Sequence, residues 1–368
     1  MYLNFERAAA LPLGQPTDGL DSMMSDLPTL ERYIRQVRFP PLGEAGQRRL
    51  TAATAVVCGC GALGSMAASW LVRAGVGRVR IVDRDFVDSS NLQRQVLFDE
   101  DHARTGAPKA VAAAETLRRA NSEVSIEAVV ADLDHRNIAQ VCGDAGVLVD
   151  GTDNFETRFL INDFAVHAGT PWVFGACLGA TGQTMTILPG ITPCLRCLIP
   201  ECPPPGATET CDTAGILGPV VGVVASLEAL EAIKVLSGNR EATVGDLRVI
   251  DLWTGRQRTI AASHLRASGN CPTCQRGEFL FLTGRQGSRT AVLCGRNAVQ
   301  LGRSETIVDL TALAERLRGV GEVVENPYLV RLKTDGYEIT VFADGRAIVA
   351  GTDDPSLART VHAKYVGS

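Results

Sequence analysis

Two periods of apolar and polar positions alternate along the first half of the chain. Short apolar runs such as residues 54–58 and 78–83 predict β-strands, and amphipathic stretches such as residues 109–120 and 155–168 predict helices. Strand and helix follow each other in this way from Thr54 to about Gly175. The order predicts parallel strands joined by crossover helices, which is a doubly wound, Rossmann-like α/β sheet.

The pattern changes after Pro171. Residues 171–179 and 182–190 are typical of the two strands of a hairpin, and residues 201–210 hold too much proline and glycine for regular structure. A long apolar stretch that ends at Gly238 predicts a helix, because helices commonly end at a glycine. Two further strand-like runs follow it. We therefore expect a mostly parallel sheet with an antiparallel extension.

The last part of the chain has its own pattern. Residues 280–368 contain alternating runs that predict strands and two amphipathic runs that predict helices, which together make a small α+β domain. We expect a flexible leader at 1–30, a main domain at 31–278 and this small domain at 280–368. The small domain lacks the C-x-x-x-x-R loop of a rhodanese persulfide site, so a docking module and a structural appendage are its open roles.

Composition and charge narrow the class of protein. The 368 residues are 45% apolar and carry a net charge of −5, so neither nucleic acid nor an anionic membrane is an expected partner. No run approaches the roughly 20 apolar residues of a membrane span, and the N-terminal residues lack signal-peptide features, so we expect a cytoplasmic protein. The 11 cysteines, an odd number, favour metal or thiol chemistry over a disulfide framework.

A glycine-rich loop, "CGCGALG" at residues 58–64, joins the first predicted strand to a helix. Glycines let the backbone turn sharply against an anion, and the helix that follows presents free N–H groups and its positive dipole end. Asp83 ends the next strand, where a carboxylate can reach a ribose hydroxyl. These features fit NAD as well as ATP, so the loop alone leaves an oxidoreductase open.

Three charged residues farther along the chain favour ATP. Arg94 follows the ribose-facing acid and can grip phosphate oxygens, Lys109 begins a predicted helix, and Asp153 follows a strand at its carboxyl end. Cations that neutralise developing charge and a carboxylate that holds Mg²⁺ serve transfer at phosphorus. Hydride transfer needs none of them.

Two CxxC pairs are the strongest metal signal. Cys194 and Cys197 form the first pair, and Cys271 and Cys274 form the second. Four thiolates from two such pairs make a closed, tetrahedral Zn²⁺ site without a catalytic role, although two redox pairs would have the same spacing.

The ordered motifs resemble the ThiF/MoeB branch of the ubiquitin-activating-like adenylyltransferases. The resemblance covers residues 31–276 and rests on "RYIRQV", "GCGALG", "DRDFVDSSNLQRQ", "GAPKA", "GTDN", the two CxxC pairs and "TCDTAGILGPVVGV". It implies adenylylation of the C-terminal glycine of a ubiquitin-like sulfur carrier with Mg-ATP. It also implies a sulfur donor such as a cysteine desulfurase as a further partner.

The resemblance assigns roles to individual residues. It implies a nucleotide site formed by Gly59, Gly61, Ala62, Gly64, Asp83, Ser90, Asn91, Leu92, Gln93, Arg94, Lys109, Asp153 and Asn154. Arg35 would reach the phosphate site of a neighbouring subunit, which implies a homodimer. Ala62 stands where many relatives have a fourth glycine, and because one methyl group is a small change, we expect ATP binding to be retained.

Cys211 is the expected reactive thiol. It precedes the long helix, whose N-terminus favours a thiolate, and in relatives this position carries the cysteine proposed to join the carrier's C-terminus through a thioester or persulfide. Cys202 is a weaker rival. The other unassigned cysteines are expected to be small core residues: Cys58, Cys60, Cys142, Cys177 and Cys294.

Two alternatives to a carrier adenylyltransferase stay open at this point. One is the NAD-linked oxidoreductase, and the other is a catalytically silent member of the same family. Within the favoured class, the sequence "AGILGPVVGVV" is closer to thiamine-pathway members than to molybdopterin-pathway members.

Overall fold

The computed structural model describes residues 30–367 except 205, 206, 208, 268, 288–289, 294–296, 303–307 and 335. The leader predicted at 1–30 and Cys294 therefore lie outside the described residues, apart from residue 30 itself. The helices are α1 Ile34–Val37, α2 Gly43–Ala52, α3 Ala62–Arg73, α4 Glu100–Thr105, α5 Lys109–Ala120, α6 Ile138–Cys142, α7 Phe155–Ala168, α8 Leu195–Leu198, α9 Cys211–Ala214, α10 Gly218–Ser237, α11 Ser263–Ala267, α12 Leu310–Leu317 and α13 Pro355–Tyr365.

The strands fall into two sheets. Those of the first sheet are β1 Thr54–Cys58, β2 Arg78–Asp83, β3 Ser125–Val130, β4 Val147–Asp150, β5 Trp172–Leu178, β6 Thr181–Ile187, β7 Leu247–Asp251 and β8 Arg256–Ile260. Those of the second are β9 Thr290–Leu293, β10 Ala298–Leu301, β11 Glu322–Asn326, β12 Leu329–Thr334, β13 Tyr337–Phe342 and β14 Ala347–Ala350.

The first sheet has the order β3-β2-β1-β4-β5-β6-β7-β8. Strands β1 to β5 run parallel, and β6 to β8 extend the sheet in antiparallel pairs. Residues 55–58 of strand β1 are apolar and buried, as expected for a strand whose two faces are both covered. Val57 packs under α3, α5 and α10, whereas Val56 packs on the opposite face with α6, α7 and the CxxC pairs.

Local sequence explains where the principal helices begin and end. The Asn154 side chain caps α7 by accepting from Thr157 N at 2.8 Å, and Gly169 ends that helix in a left-handed conformation. Helix α10 is apolar on nearly all sides, as expected for a helix packed between the sheet and other helices. No helix among the described residues is long and apolar enough to span a membrane.

The second sheet has the order β11-β12-β13-β14-β10-β9 and is antiparallel. Helices α12 and α13 cover one of its faces. The predicted fold class, a Rossmann-like sheet with an antiparallel extension and a small α+β domain, is confirmed. Strand β11 was missed by the sequence pattern, while the expected boundaries at 31–278 and 280–368 stay predictions.

Candidate nucleotide and metal sites

The candidate nucleotide site lies where the strand order of the first sheet reverses. Strands β1 and β4 are neighbours, but the chain continues from β1 toward β2 on the other side. Parallel sheets bind ligands in the crevice outside the carboxyl ends of strands at such a point. The loops after β1, β2 and β4 meet there, and they carry the predicted glycines, Asp83 and Asp153.

The glycine loop fits this crevice only because it has no side chains at critical positions. Gly59 has a φ of +92°, and a Cβ on it would lie 2.5 Å from the Gly151 carbonyl oxygen. A Cβ on Gly64 would lie 1.9 Å from the Gly59 oxygen. Gly61 lies just before α3, and Ala62, the first residue of α3, packs against the core. The departure at Ala62 therefore adds no obstruction to the turn between Gly59 and Gly64.

Asp83 and Lys109 are brought together by the loops that follow β2 and precede α5. The Asp83 carboxylate accepts from Cys60 N at 2.5 Å, which ties the end of β2 to the glycine loop. Burial raises the pKa of Asp83, and the Lys109 ammonium partly offsets that rise. Lys109 Nζ lies 3.4 Å from Asp85 Oδ2, and only 4% of its side chain is exposed. Asp85 therefore holds Lys109 in place. The sequence motifs did not indicate this role for Asp85.

Asp153 lies in an exposed turn that buried residues beneath it hold in place. Among the described residues no hydrogen bond or ion pair engages its carboxylate. The turn is fixed by buried Asp150, which accepts from Thr152 N at 2.9 Å and from Arg158 Nε at 3.1 Å. Arg158 Nη2 also donates to the Thr152 carbonyl at 2.7 Å. The Asp150–Arg158 pair was not predicted from the sequence. The sequence indicates it only by an arginine eight residues after the end of β4.

Residues 88–95 form a compact turn beside the N-terminus of α10. The Asp88 carboxylate accepts from Ser90 N at 2.8 Å, and the side-chain oxygen of buried Asn91 accepts from Asp88 N. Ser90 and Asn91, both predicted to contact the nucleotide, therefore also stabilise the turn. Arg94 donates to the Ser90 carbonyl at 2.9 Å. The remaining predicted contacts differ in exposure: Leu92 packs on the core and Gln93 is exposed.

Gln95 is a further residue that sequence reasoning missed. Its side chain is buried, its Oε1 has no hydrogen-bond partner among the described residues, and its Nε2 lies 3.8 Å from the position of a Cβ on Gly61. A buried, unsatisfied amide oxygen beside the glycine loop is available for a ligand donor.

Arg35 lies on exposed α1, far from its own chain's site. Helix α1 packs at the C-terminal ends of α3 and α5, where Gln36 donates to the Ala74 carbonyl at 2.9 Å. Asn121 likewise donates to the Tyr33 hydroxyl at 2.8 Å. Because α3 begins at the glycine loop and has 12 residues, these ends lie about 18 Å from the loop. The structure does not bring Arg35 to the phosphate site of its own chain.

Cys211 is the first residue of the short helix α9, which is separate from α10. Its thiol is partly buried rather than exposed, and it donates to the Cys177 carbonyl at 3.6 Å. Burial raises the pKa of Cys202 to about 11, which weakens that cysteine as a rival nucleophile. Cys58, Cys60 and Cys142 are buried core residues as predicted, whereas Cys177 is only partly buried.

The two CxxC pairs converge on one point, as their sequence spacing predicted. The ligand sulfurs of Cys194, Cys197, Cys271 and Cys274 all lie within 4.8 Å of one another. The Cys194 Sγ–Cys271 Sγ distance is 3.5 Å, and the Cys197 Sγ–Cys274 Sγ distance is 3.4 Å. Zn–S bonds of about 2.3 Å at tetrahedral angles require sulfurs about 3.8 Å apart. The cluster therefore fits a tetrahedral metal ion.

Helix α7 positions both halves of the cysteine cluster. Buried Asn162 accepts from Leu195 N at 2.8 Å in the first pair. Buried Asp163 accepts from the Thr273 hydroxyl at 3.1 Å in the second pair and from Phe281 N at 2.9 Å. Burial raises the pKa of Asp163 against these hydrogen bonds. Neither residue was predicted, because each lies in a helix far from the cysteines in sequence.

A buried carboxyl group lies below the candidate site. Glu228 on α10 is fully buried against Gly175, and among the described residues neither of its carboxyl oxygens has a hydrogen-bond partner. Burial, with a smaller contribution from Asp150, raises the pKa of Glu228 well above its ordinary value, and Arg158 partly offsets this. Glu228 is therefore protonated in the folded protein at pH values where the unfolded chain has lost the proton.

This raised pKa predicts a pH-dependent effect of Glu228→Gln. Because the folded state retains a proton that the unfolded state releases, Glu228 makes stability fall as pH rises above about 4.3 toward the raised pKa. We expect Glu228→Gln to raise the Tm by a few degrees at pH 8 and to have little effect near pH 4. Scanning calorimetry across this range measures both.

A matched control is available on the same helix. Buried Glu231 accepts from Val244 N at 2.8 Å, the Thr186 hydroxyl at 2.9 Å and Lys234 Nζ at 2.7 Å. Glu231→Gln should therefore lower the Tm at pH 8. If Glu228→Gln lowers the Tm to the same extent, Glu228 is ionised and paired in the native protein, contrary to the prediction.

The sheet, its glycine loop and the charged residues at one edge define a Rossmann-like α/β protein with the features of a nucleotide site. A family model described as the ThiF family matches residues 33–273. The chain belongs to the ThiF family.

Relatives agree with this membership, and a solved structure shares the fold. The sulfur carrier protein ThiS adenylyltransferase of Bacillus subtilis is 46% identical over 338 residues, which cover 91% of this chain and 99% of the relative. The sulfur carrier protein adenylyltransferase of Thermus thermophilus is 41% identical over 67% of this chain and 90% of its own. A crystal structure of E. coli MccB with succinimide aligns with a TM-score of 0.56 at 23% identity, covering 66% of this chain and 73% of MccB, which shows the fold alone.

Proposed function

We infer that this chain is an ATP-dependent adenylyltransferase that activates the C-terminal glycine of a ubiquitin-like sulfur carrier protein. The observation that carries this inference is the 46% identity to a ThiS adenylyltransferase across almost the whole of both chains. The edge of the first sheet supports it, because Lys109, Asp83 and Asp153 lie on the loops expected for phosphate, ribose and metal. Hydride transfer does not require this set of three residues.

The reaction needs charge screening more than proton transfer. The attacking carboxylate of the carrier is already ionised at neutral pH, so no general base is required. Lys109 and Arg94 are proposed to neutralise the phosphates and align the attack on the α-phosphorus, and the N–H groups at the start of α3 to hold phosphate oxygens. Asp83 is proposed to accept from the ribose.

The carboxylate of Asp153 fits a magnesium ligand. It is exposed at the crevice and, among the described residues, no hydrogen bond or ion pair engages it. Mg²⁺ is usually held by one or two carboxylates together with substrate phosphates, so a single free aspartate is sufficient. When bound, the ion would screen the triphosphate charge, while the Asp150–Arg158 pair keeps the Asp153 turn in place.

A structural Zn²⁺ is proposed for the cysteine cluster. The four sulfurs have tetrahedral spacing and leave no open ligand position, so the ion has no substrate to activate. Its proposed role is to fasten residues 271–274 to the loop that carries Cys194 and Cys197.

A homodimer is proposed from two surface features. Helix α10 is apolar on nearly all sides, yet Val223 and Leu230 are exposed, and Trp70 on neighbouring α3 is 47% exposed beside them. Such a contiguous apolar patch is typical of an interface. Arg35 cannot reach its own site, so its implied contact with phosphate requires a second copy of the chain.

The proposed substrate is a ThiS-like carrier rather than a MoaD-like one. To test this, each carrier ending in Gly-Gly is incubated with the enzyme and Mg-ATP, and its mass is measured. We expect the ThiS-like carrier to gain one AMP and a carrier lacking its last glycine to gain none. Preferential adenylylation of the MoaD-like carrier would reverse the assignment, and no AMP transfer to either would refute the proposed function.

Cys211 is proposed to act after adenylylation. Replacing it should leave ATP–pyrophosphate exchange within about two-fold of wild type, because the thiol donates to the Cys177 carbonyl and is proposed to act only after the exchange step. A covalent carrier–enzyme adduct, visible on a non-reducing gel, should disappear in Cys211→Ala and persist in Cys202→Ala. Loss of exchange in Cys211→Ala would instead place the thiol in the adenylylation step.

A further inference from the structure

The face of the second sheet opposite α12 and α13 is buried against loops of the candidate nucleotide site. We call this the docking face; its apolar residues are Ala298, Leu329, Phe342 and Ile348, none of them more than 7% exposed. Phe86 from the first domain packs against them. Because Phe86 lies three residues after Asp83, the second sheet contacts the loop that carries the proposed ribose-binding residue.

Arg331 makes the most specific contact between the two domains. Its guanidinium carbon lies 4.0 Å from the centroid of the Phe86 ring, and only 18% of its side chain is exposed. A Cβ on Gly106 would lie 3.1 Å from Arg331 Nη2, so the same guanidinium also covers the backbone before Lys109. Asn326 Nδ2 donates to the Gly106 carbonyl at 3.2 Å. A desolvated cation over an aromatic face is attractive, and here it spans two site loops.

A second, polar contact reaches the same region. Gln300 Nε2 on the docking face donates to Asp132 Oδ2 at 2.7 Å. The other oxygen of Asp132 accepts from Arg84 Nη1 at 3.1 Å. Burial opposes the charge on Arg84, but nearby carboxylates, Asp132 and Asp153 among them, raise its pKa. Gln300 thereby helps to fix the arginine that immediately follows Asp83.

The two contacted loops also hold Lys109. Phe86 and Pro108 form an antiparallel bridge, and Val87 N donates to the Ala107 carbonyl at 2.8 Å. Lys109 N donates to the Asp85 carbonyl at 2.9 Å. Loops 84–87 and 106–109 therefore form one paired unit, with the lysine on the site side and the docking face on the other.

We propose that the docking face is a positioning element of the nucleotide site and that Arg331 is its principal positioning residue. Arg331 holds the paired loops in the arrangement that places Asp83 and Lys109 for ATP, and so raises the affinity for ATP without contacting it. This inference rests on the proposed assignment of the nucleotide site. A mere structural appendage would affect stability and leave nucleotide affinity unchanged.

The test compares Arg331→Ala, Arg331→Lys and Phe86→Leu in the full-length protein. We measure KM for ATP and kcat in ATP–pyrophosphate exchange, and the Kd of a fluorescent ATP analogue by titration. Arg331→Ala should raise both KM and Kd by roughly 2- to 30-fold and change kcat by less than about two-fold. Arg331→Lys should show a smaller effect, because lysine keeps the charge and loses the planar stack.

The double variant and a surface control sharpen the test. Phe86→Leu combined with Arg331→Ala should raise the Kd no more than the larger single effect, because both remove the same contact. Arg316→Ala, which replaces an exposed residue of α12 in the same domain, should leave the Kd unchanged. Variants that melt at lower temperature but keep the wild-type Kd and KM would overturn the proposal, as would a loss confined to kcat. A wild-type protein without exchange activity would refute the proposed function, and the Kd series would still decide this inference.

Discussion

Asp153→Asn is expected to lower ATP–pyrophosphate exchange by about 100-fold or more, because it removes the charge proposed to bind Mg²⁺ and leaves the shape of the side chain. The carboxylate is exposed and, within the described part of the chain, makes no hydrogen bond or ion pair, so the substitution breaks neither kind of contact. The Tm should therefore stay close to that of wild type. Exchange assays over a range of Mg²⁺ concentrations measure the loss.

Asp353→Asn supplies the matched control for this prediction. Asp353 is an exposed aspartate of the C-terminal domain, and its replacement should leave exchange unchanged. If Asp153→Asn retains more than a tenth of wild-type exchange, Asp153 does not bind the essential metal.

Asp153→Asn also provides a test of the proposed role of Arg35. If Arg35 acts across a dimer, co-expressed Arg35→Ala and Asp153→Asn chains form mixed dimers in which one site is intact. Random pairing should then restore about one quarter of wild-type exchange, although each variant alone is inactive. Activity no higher than that of the separate variants would rule out a contact across the dimer.

Loss of the cysteine cluster is expected to have the largest effect on stability. Cys271→Ser removes one of the four ligands of the cluster, whose sulfur lies 3.5 Å from the Cys194 sulfur of the first CxxC pair. Wild-type protein should carry about one Zn²⁺ per chain, and the variant should lose it together with roughly 10 °C of Tm. Inductively coupled plasma mass spectrometry and thermal melts make these measurements.

Cys202→Ser is the control for the zinc prediction. Cys202 is a partly buried cysteine outside the cluster, so its replacement should leave both the zinc content and most of the stability intact. A chelator that removes all bound zinc without lowering the Tm would contradict a structural role for the ion.

Features that follow one another in the chain could be predicted from the sequence. Asp83 ends a strand, Gly59 and Asp153 follow strands, and the carboxyl ends of parallel strands meet at one edge of a sheet. The strand–helix alternation therefore predicted both the fold class and the neighbourhood of these residues. The two CxxC pairs were also paired correctly, because tetrahedral metal sites take ligands in this spacing.

Features that depend on contacts between elements distant in sequence could not be predicted. Asn162 and Asp163 lie within an amphipathic helix, and nothing local indicates that they hold the two cysteine pairs. Glu228 has the same surroundings in sequence as Glu231, yet among the described residues only Glu231 accepts hydrogen bonds through its carboxylate. The contact between Arg331 and Phe86 joins residues 245 positions apart (331 − 86), so no sequence period indicates it.

The contact between Gly59, Gly64 and Gly151 has a consequence for motion. A Cβ on Gly151 would lie 2.2 Å from the Gly59 oxygen, so the turn after β1 and the turn after β4 touch backbone to backbone. With no side chain between them to change rotamer, neither turn has room to shift without displacing the other. The turn after β1, proposed to face the phosphates, and the turn after β4, which carries Asp153, should therefore move together as one rigid unit when nucleotide enters or leaves.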